Sequence, residues 1–298
     1  MNPLMDVAGL QARLADNRRT VLLDVRWALG DPNGYRHYLQ EHLPGAVFVD
    51  LDTELAAPAA PGRGRHPLPP AGEFQASARR WGINDGDVVV AYDDSGNMAA
   101  ARVWWMLRDA GLAEVYLLDG GLAAWRAAGL ALEAGPVVPA PGGVHLTHGK
   151  MPALDATAAS AWPRAGLLLD ARAGERYRGE FEPIDPRAGH IPGAISAPTS
   201  ENVDGSGRFL PPDSLRRRFE SLGVRDGRQV AVYCGSGVTA AHEVAALEIA
   251  GFAAALYTGS FSEWSNNPDL PVATGAEPGR GGAQPSGNTD AGRGSVAL

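Results

Sequence analysis

The chain has 298 residues, a formal net charge of −8 and one cysteine. That length suits two domains of ordinary size, and the negative charge argues against a broad basic surface and a nucleic-acid partner. A single thiol excludes an intramolecular disulfide and a zinc-type cysteine cluster, while the lack of a basic-then-apolar leader or a bilayer-length apolar run predicts a cytoplasmic protein with no membrane partner.

From the N-terminus, Val21-Leu22-Leu23 reads as a strand ending in Asp24-Val25-Arg26, and His42-Leu43-Pro44-Gly45-Ala46 reads as a turn. Gly82-Ile83-Asn84-Asp85-Gly86-Asp87 leads into a strand over Val88 to Tyr92. A helix over Ala99 to Ala110 stops at Gly111, where a glycine is expected just past the last helical residue. A strand returns at Val115 to Leu118, and Gly120-Gly121 opens a helix containing Trp125. Pro136, Pro139, Pro141, Gly142 and Gly143 then mark a linker.

The second half repeats this order. Leu167-Leu168-Leu169 ends in Asp170-Ala171-Arg172, and His190-Ile191-Pro192-Gly193-Ala194 repeats the turn. Gly223-Val224-Arg225-Asp226-Gly227 leads to a strand over Val230 to Tyr233, a helix over Val238 to Ala250 closed by Gly251, and a strand at Ala255 to Tyr257. Gly259-Ser260 then opens a helix containing Trp264. Strands alternating with helices predict mostly parallel sheets covered on both faces, here as two similar α/β domains. The expected boundaries are 5–133, a linker over 134–149, 150–272, and a disordered Gly/Ala/Pro/Ser-rich tail over 273–298.

Cys234 stands at the exit of the strand Val230 to Tyr233 and opens Cys234-Gly235-Ser236-Gly237-Val238-Thr239-Ala240. A lone cysteine is commonly a small buried hydrophobe. Here glycines beside it let backbone amides turn inward at a helix N-terminus, an arrangement that stabilises an anion and suits a nucleophile. The corresponding position in the first half is Asp93, which cannot do thiol chemistry. The second half is therefore expected to carry catalysis and the first to supply structure and one wall of the site.

The paired Asp-x-Arg strand ends, the paired His-x-Pro-Gly-Ala turns and the Cys-Gly-Ser-Gly-Val-Thr-Ala loop resemble the two-domain rhodanese-type sulfurtransferases. The resemblance covers about residues 5 to 272. It implies two rhodanese-like α/β domains, the first inactive, and a ping-pong reaction in which Cys234 carries sulfur as a persulfide. The loop is similar to that of the 3-mercaptopyruvate sulfurtransferases. Thiosulfate-using relatives carry basic residues where this chain has Gly235 and Ser236, which suits a dianionic donor and its sulfite leaving group. Thiosulfate:cyanide sulfurtransfer is the alternative activity, and a non-catalytic persulfide carrier is a further one.

The resemblance also implies site residues. Arg176, before Tyr177, matches a substrate-binding arginine whose guanidinium can grip a carboxylate through two parallel hydrogen bonds. Arg172 is expected to bond within its own domain, as Arg26 would, and Arg178 reads as a surface charge. A second family arginine, soon after a Glu-Pro pair, has no positional match: Glu182-Pro183 is followed by Ile184, and Arg187 nearby is the candidate substitute. In the first domain, Asp52 and His66 match residues that approach the active site, and with Ser236 they are expected to form a relay that polarises the substrate carbonyl or supplies a proton. Gly235, Gly237, Val238 and Thr239 complete the anion-binding loop. No metal or organic cofactor is implied. The partners expected are a small sulfur donor and a thiol acceptor such as thioredoxin or a small dithiol, or cyanide. A cysteine phosphatase would need an arginine closing the loop, where this chain has Thr239-Ala240-Ala241.

Overall fold

The computed structural model describes residues 2–60 and 62–279. The first unit contains β1 (Leu4–Met5), β2 (Thr20–Asp24), β3 (Val47–Phe48), β4 (Val88–Tyr92) and β5 (Val115–Leu118). They form a parallel sheet in the order β1-β5-β4-β2-β3. Around it run α1 (Val7–Ala15), α2 (Gly34–Gln40), α3 (Leu51–Glu54), α4 (Ala71–Arg80), α5 (Ala100–Asp109) and α6 (Gly121–Ala127).

The second unit repeats the plan with β6 (Ala153–Leu154), β7 (Leu167–Asp170), β8 (Ala194–Ser196), β9 (Val230–Tyr233) and β10 (Ala255–Tyr257) in the order β6-β10-β9-β7-β8, again parallel. Its helices are α7 (Ala156–Ala161), α8 (Gly174–Arg178), α9 (Pro212–Ser221), α10 (Thr239–Ile249) and α11 (Ser260–Asn266). The central strands are buried along their whole length, as continuous apolar runs in a sheet covered on both faces should be.

The motifs that occur twice are structural. Arg26 bonds the Asp24 carboxylate at 2.8 Å, and Arg172 bonds Asp170 at 2.6 Å. His42 and His190 are fully buried, each with Nδ1 on the carbonyl of a tyrosine, Tyr38 or Tyr177, against which its ring stacks. The hydroxyls of Tyr92 and Tyr233 accept from the next residue's N–H, Leu43 and Ile191. These bonds pin the turns to the strand ends in both halves, whether or not a thiol follows.

Helices α5 and α10 pack on each other and are buried nearly all round, so the two units share one apolar cluster running from Val103 and Leu107 to Val244 and Leu247. Residues 136–150 carry no helix or strand. They are tied to the first unit by Gly142 N–H to the Arg79 carbonyl, Val144 N–H to Ile83 and Thr147 N–H to Ala110. Residues 273–278, expected to belong to the tail, bond back to the second unit instead: Ala273 pairs with His190, and Gly275 N–H reaches the Arg178 carbonyl. The rest of the expected tail, 280–298, lies outside the described residues. No helix of the described residues is long and apolar enough to cross a membrane.

Candidate active site

Cys234 follows β9 directly and is buried. Its N–H donates to Ser260 Oγ at 3.1 Å, its carbonyl accepts from Phe261 N–H, and the Gly235 carbonyl accepts from Ser262 N–H, so the start of α11 fixes the loop from one side. The N–H of Gly237 points at the cysteine sulfur, 3.2 Å away. Gly237 has φ +78°, and a Cβ there would lie 2.4 Å from the Thr258 carbonyl oxygen. Only glycine turns this amide inward in the space available.

The first-domain loop shows what such amides do. Asp93, at the position equivalent to Cys234, is wholly buried, and its carboxylate accepts N–H bonds from Ser95, Asn97, Ala99 and Ala100 at 2.7–3.0 Å. Burial pushes its carboxyl upward, and those four amides oppose the shift. A loop of this geometry is an anion cradle: one copy holds a built-in carboxylate, the other a thiol.

Three candidate residues far apart in sequence meet at the domain interface. His66 Nδ1 lies 2.7 Å from Ser236 Oγ, and His66 Nε2 lies 3.4 Å from Asp52 Oδ1. Trp27 Nε1–H also donates to Asp52 Oδ1, at 3.0 Å. Asp50, not Asp52, binds the backbone at the start of α3. A carboxylate only accepts, so Asp52 places the imidazole proton on Nε2, and Nδ1 accepts from the Ser236 hydroxyl. Burial, reinforced by Arg102, pushes the His66 pKa down to about 4, against the opposing pull of Asp52. The ring is neutral near pH 7, which leaves Nδ1 a lone pair for the Ser236 hydroxyl.

Arg176, on α8, is held by Glu182, which takes its Nε and Nη2 at 3.1 and 2.7 Å, and by Asp185, 3.0 Å from Nη2. Its Nη1 would lie 3.5 Å from a Cβ on Gly235, so this guanidinium faces the residue next to Cys234. Arg187 is a correction. Its guanidinium donates to the carbonyls of Trp264, Ser265, Asn267 and Leu270 at 2.6–2.9 Å. It caps the last turn of α11, because bare helix-end carbonyls draw a cation, and it does not reach the cysteine loop. Val238 is buried ahead of α10, and Thr239 is that helix's first residue.

Two residues escaped the sequence reading. Arg102, on α5, is completely buried and donates to the carbonyls of Leu55, His66 and Gly237, the last at 3.1 Å. Burial lowers its pKa to about 10. Its signal was available: an arginine in an otherwise apolar helix must find partners. Arg65, beside His66, extends from the first domain to the Asp185 carboxylate. Among the described residues, no cluster of His, Cys, Asp and Glu could hold a metal ion.

The sequence matches the model of the rhodanese-like domain twice, over residues 6–128 and 154–267. A Pseudomonas aeruginosa protein named as a 3-mercaptopyruvate sulfurtransferase is 48% identical over 279 residues, covering 91% of this chain and 98% of that one. A Mycobacterium tuberculosis protein named as a thiosulfate sulfurtransferase, SseB, is 47% identical over 275 residues, covering 91% and 97%. The crystal structure of SseA from Escherichia coli, described as a 3-mercaptopyruvate sulfotransferase of rhodanese fold, superposes with a TM-score of 0.78 at 32% identity, covering 87% of this chain and 99% of its own.

Proposed function

The chain belongs to the rhodanese family and is a sulfurtransferase, and from that premise we propose that it moves sulfur from 3-mercaptopyruvate through a persulfide on Cys234 to a thiol or to cyanide. The Cys234 thiolate attacks the donor's sulfur. An S–S bond forms, the donor's C–S bond breaks, and its electron pair leaves on carbon as the enolate of pyruvate. The donor thiol's proton passes through Ser236 to His66 and returns to that carbon, giving pyruvate and leaving the outer sulfur on the enzyme. Asp52 holds the imidazole in the accepting tautomer, and the Gly237 amide steadies the negative sulfur. Arg176 receives the donor's carboxylate. A thiol such as thioredoxin or a small dithiol, or cyanide, then takes the outer sulfur.

The observation that carries this reading is the 2.7 Å contact between His66 and Ser236 across the domain interface. Pyruvate's departing carbon needs a proton, whereas sulfite leaving from thiosulfate does not. A proton relay aimed at the nucleophile's loop therefore favours a keto-acid donor. Thiosulfate remains the second reading, supported by the name of the M. tuberculosis relative. The deciding experiment compares kcat/KM for the two donors with cyanide as common acceptor. Mercaptopyruvate is expected to be preferred, and a clear preference for thiosulfate would overturn the donor assignment.

A further inference from the structure

The expected second arginine is missing from the catalytic domain, since Ile184 follows Glu182-Pro183 and Arg187 is spent on α11. We propose that Arg65, from the inactive first domain, is the second cation of the donor site and forms with Arg176 a carboxylate clamp across the domain interface beside Gly235. The proposal rests on the sulfurtransferase reading above and assigns a residue to its carboxylate subsite.

Three observations carry it. Arg65 and Arg176 reach the same carboxylate, Asp185, from opposite domains, so the two guanidinium groups are already side by side. Their spare donors face one spot. With Nη1 of Arg65 on Asp185, its Nη2 would lie 3.0 Å from a Cβ on Gly235, while Nη1 of Arg176 would lie 3.5 Å from it. The absence of a side chain at Gly235 lets both guanidinium groups come this close to the cysteine loop. Finally, Arg65 Nε is buried and has no hydrogen-bond partner among the described residues. An unpaired buried donor is uncommon, and Nε with Nη2 forms the side-on fork that matches a carboxylate.

The position of Arg65 is built rather than incidental. Its N–H donates to Ser262 Oγ at 3.0 Å. A Cβ on the preceding Gly64 would meet the Gly259 carbonyl oxygen at 2.6 Å, so the loop lies flat on the second domain. The side chain also lines a surface cleft with Arg63 and Asn266.

The test uses the full-length enzyme and two readouts. Arg65→Met should raise KM for 3-mercaptopyruvate about 10- to 100-fold, the span of a lost charged hydrogen bond, with a smaller change in kcat. The second readout is the alkylation rate of Cys234 by iodoacetate divided by that by iodoacetamide. Changes in loop geometry or thiol reactivity affect both reagents, while loss of a carboxylate site slows only the anionic one. The ratio should fall about tenfold. Arg65→Gln, which keeps a donor for Asp185, carries the same expectations if the Met variant does not fold. An unchanged ratio would overturn the proposal and leave Arg65 as an interdomain tie. If the wild type does not use mercaptopyruvate, the donor reading fails, and the alkylation ratio alone still decides whether Arg65 recruits carboxylates.

Discussion

In the proposed mechanism Cys234 and His66 divide the chemistry between a sulfur that changes bonding and a ring that moves a proton. Replacing Cys234 with serine should abolish turnover with every donor in a cyanide assay, because no other thiol exists in the chain. His66→Gln should lower kcat for mercaptopyruvate by about 10²-fold, within the usual worth of a positioned acid–base group, and should affect thiosulfate less. The acid limb follows from the lowered pKa of about 4. His66 stays neutral from pH 8 down to 5, so kcat/KM should show no inflection near 6.5 from this group. Activity should fail only as pH approaches 4, where a protonated Nδ1 can no longer accept from Ser236. A histidine inflection at 6.5 that disappears in His66→Gln would contradict this assignment.

The working element is strand–loop–helix, β9 to α10, and its twin, β4 to α5, shows the same loop filled by Asp93. This unit was readable from sequence, because a buried strand, a glycine-rich turn and a glycine-stopped helix each leave local signals. The edge strands β1, β3, β6 and β8 are two or three residues long, too short for any period, and they exist through pairing with neighbours. Gly237→Ala should destabilise the protein by about 2–4 kcal/mol and abolish transfer, since it adds strain at positive φ and a clash with Thr258. Chemical denaturation together with a donor assay reads both effects. Helix α10 also carries Glu243, whose pKa burial raises to about 7 despite Arg218. A carboxyl raised in the folded state contributes stability that is complete below about pH 4.5 and is lost as pH rises through 7. Between pH 5 and 8 the melting temperature of wild type should fall further than that of Glu243→Gln, which keeps only the share of other raised carboxyls such as Asp24, pushed up to about 6 by burial.

Over the whole molecule, the site exists because two copies of one fold face each other through α5 and α10. Of the residues proposed for it, Cys234, Ser236 and Arg176 come from one copy and Asp52, His66 and Arg65 from the other, with Arg102 of that copy bonding the Gly237 carbonyl. The motif-bearing residues could be found in sequence. Arg65 and Arg102 could not be placed there, because their roles depend on which carbonyls and carboxylates the facing domain presents. Arg187 failed as a candidate for the converse reason: nearness in sequence to Glu182 did not put it near the loop, and bare α11 carbonyls claimed it. Arg102→Met should leave the carbonyls of Leu55, His66 and Gly237 unpaired and cost about 3–5 kcal/mol by denaturant unfolding. The most direct test of the account is mass spectrometry of the full chain mixed with 3-mercaptopyruvate and no acceptor. The expected result is one added sulfur atom on the peptide containing Cys234, one pyruvate released per chain, removal of that sulfur by cyanide, and slower loading from thiosulfate. Pyruvate release with an unmodified Cys234, or faster loading from thiosulfate, would contradict it.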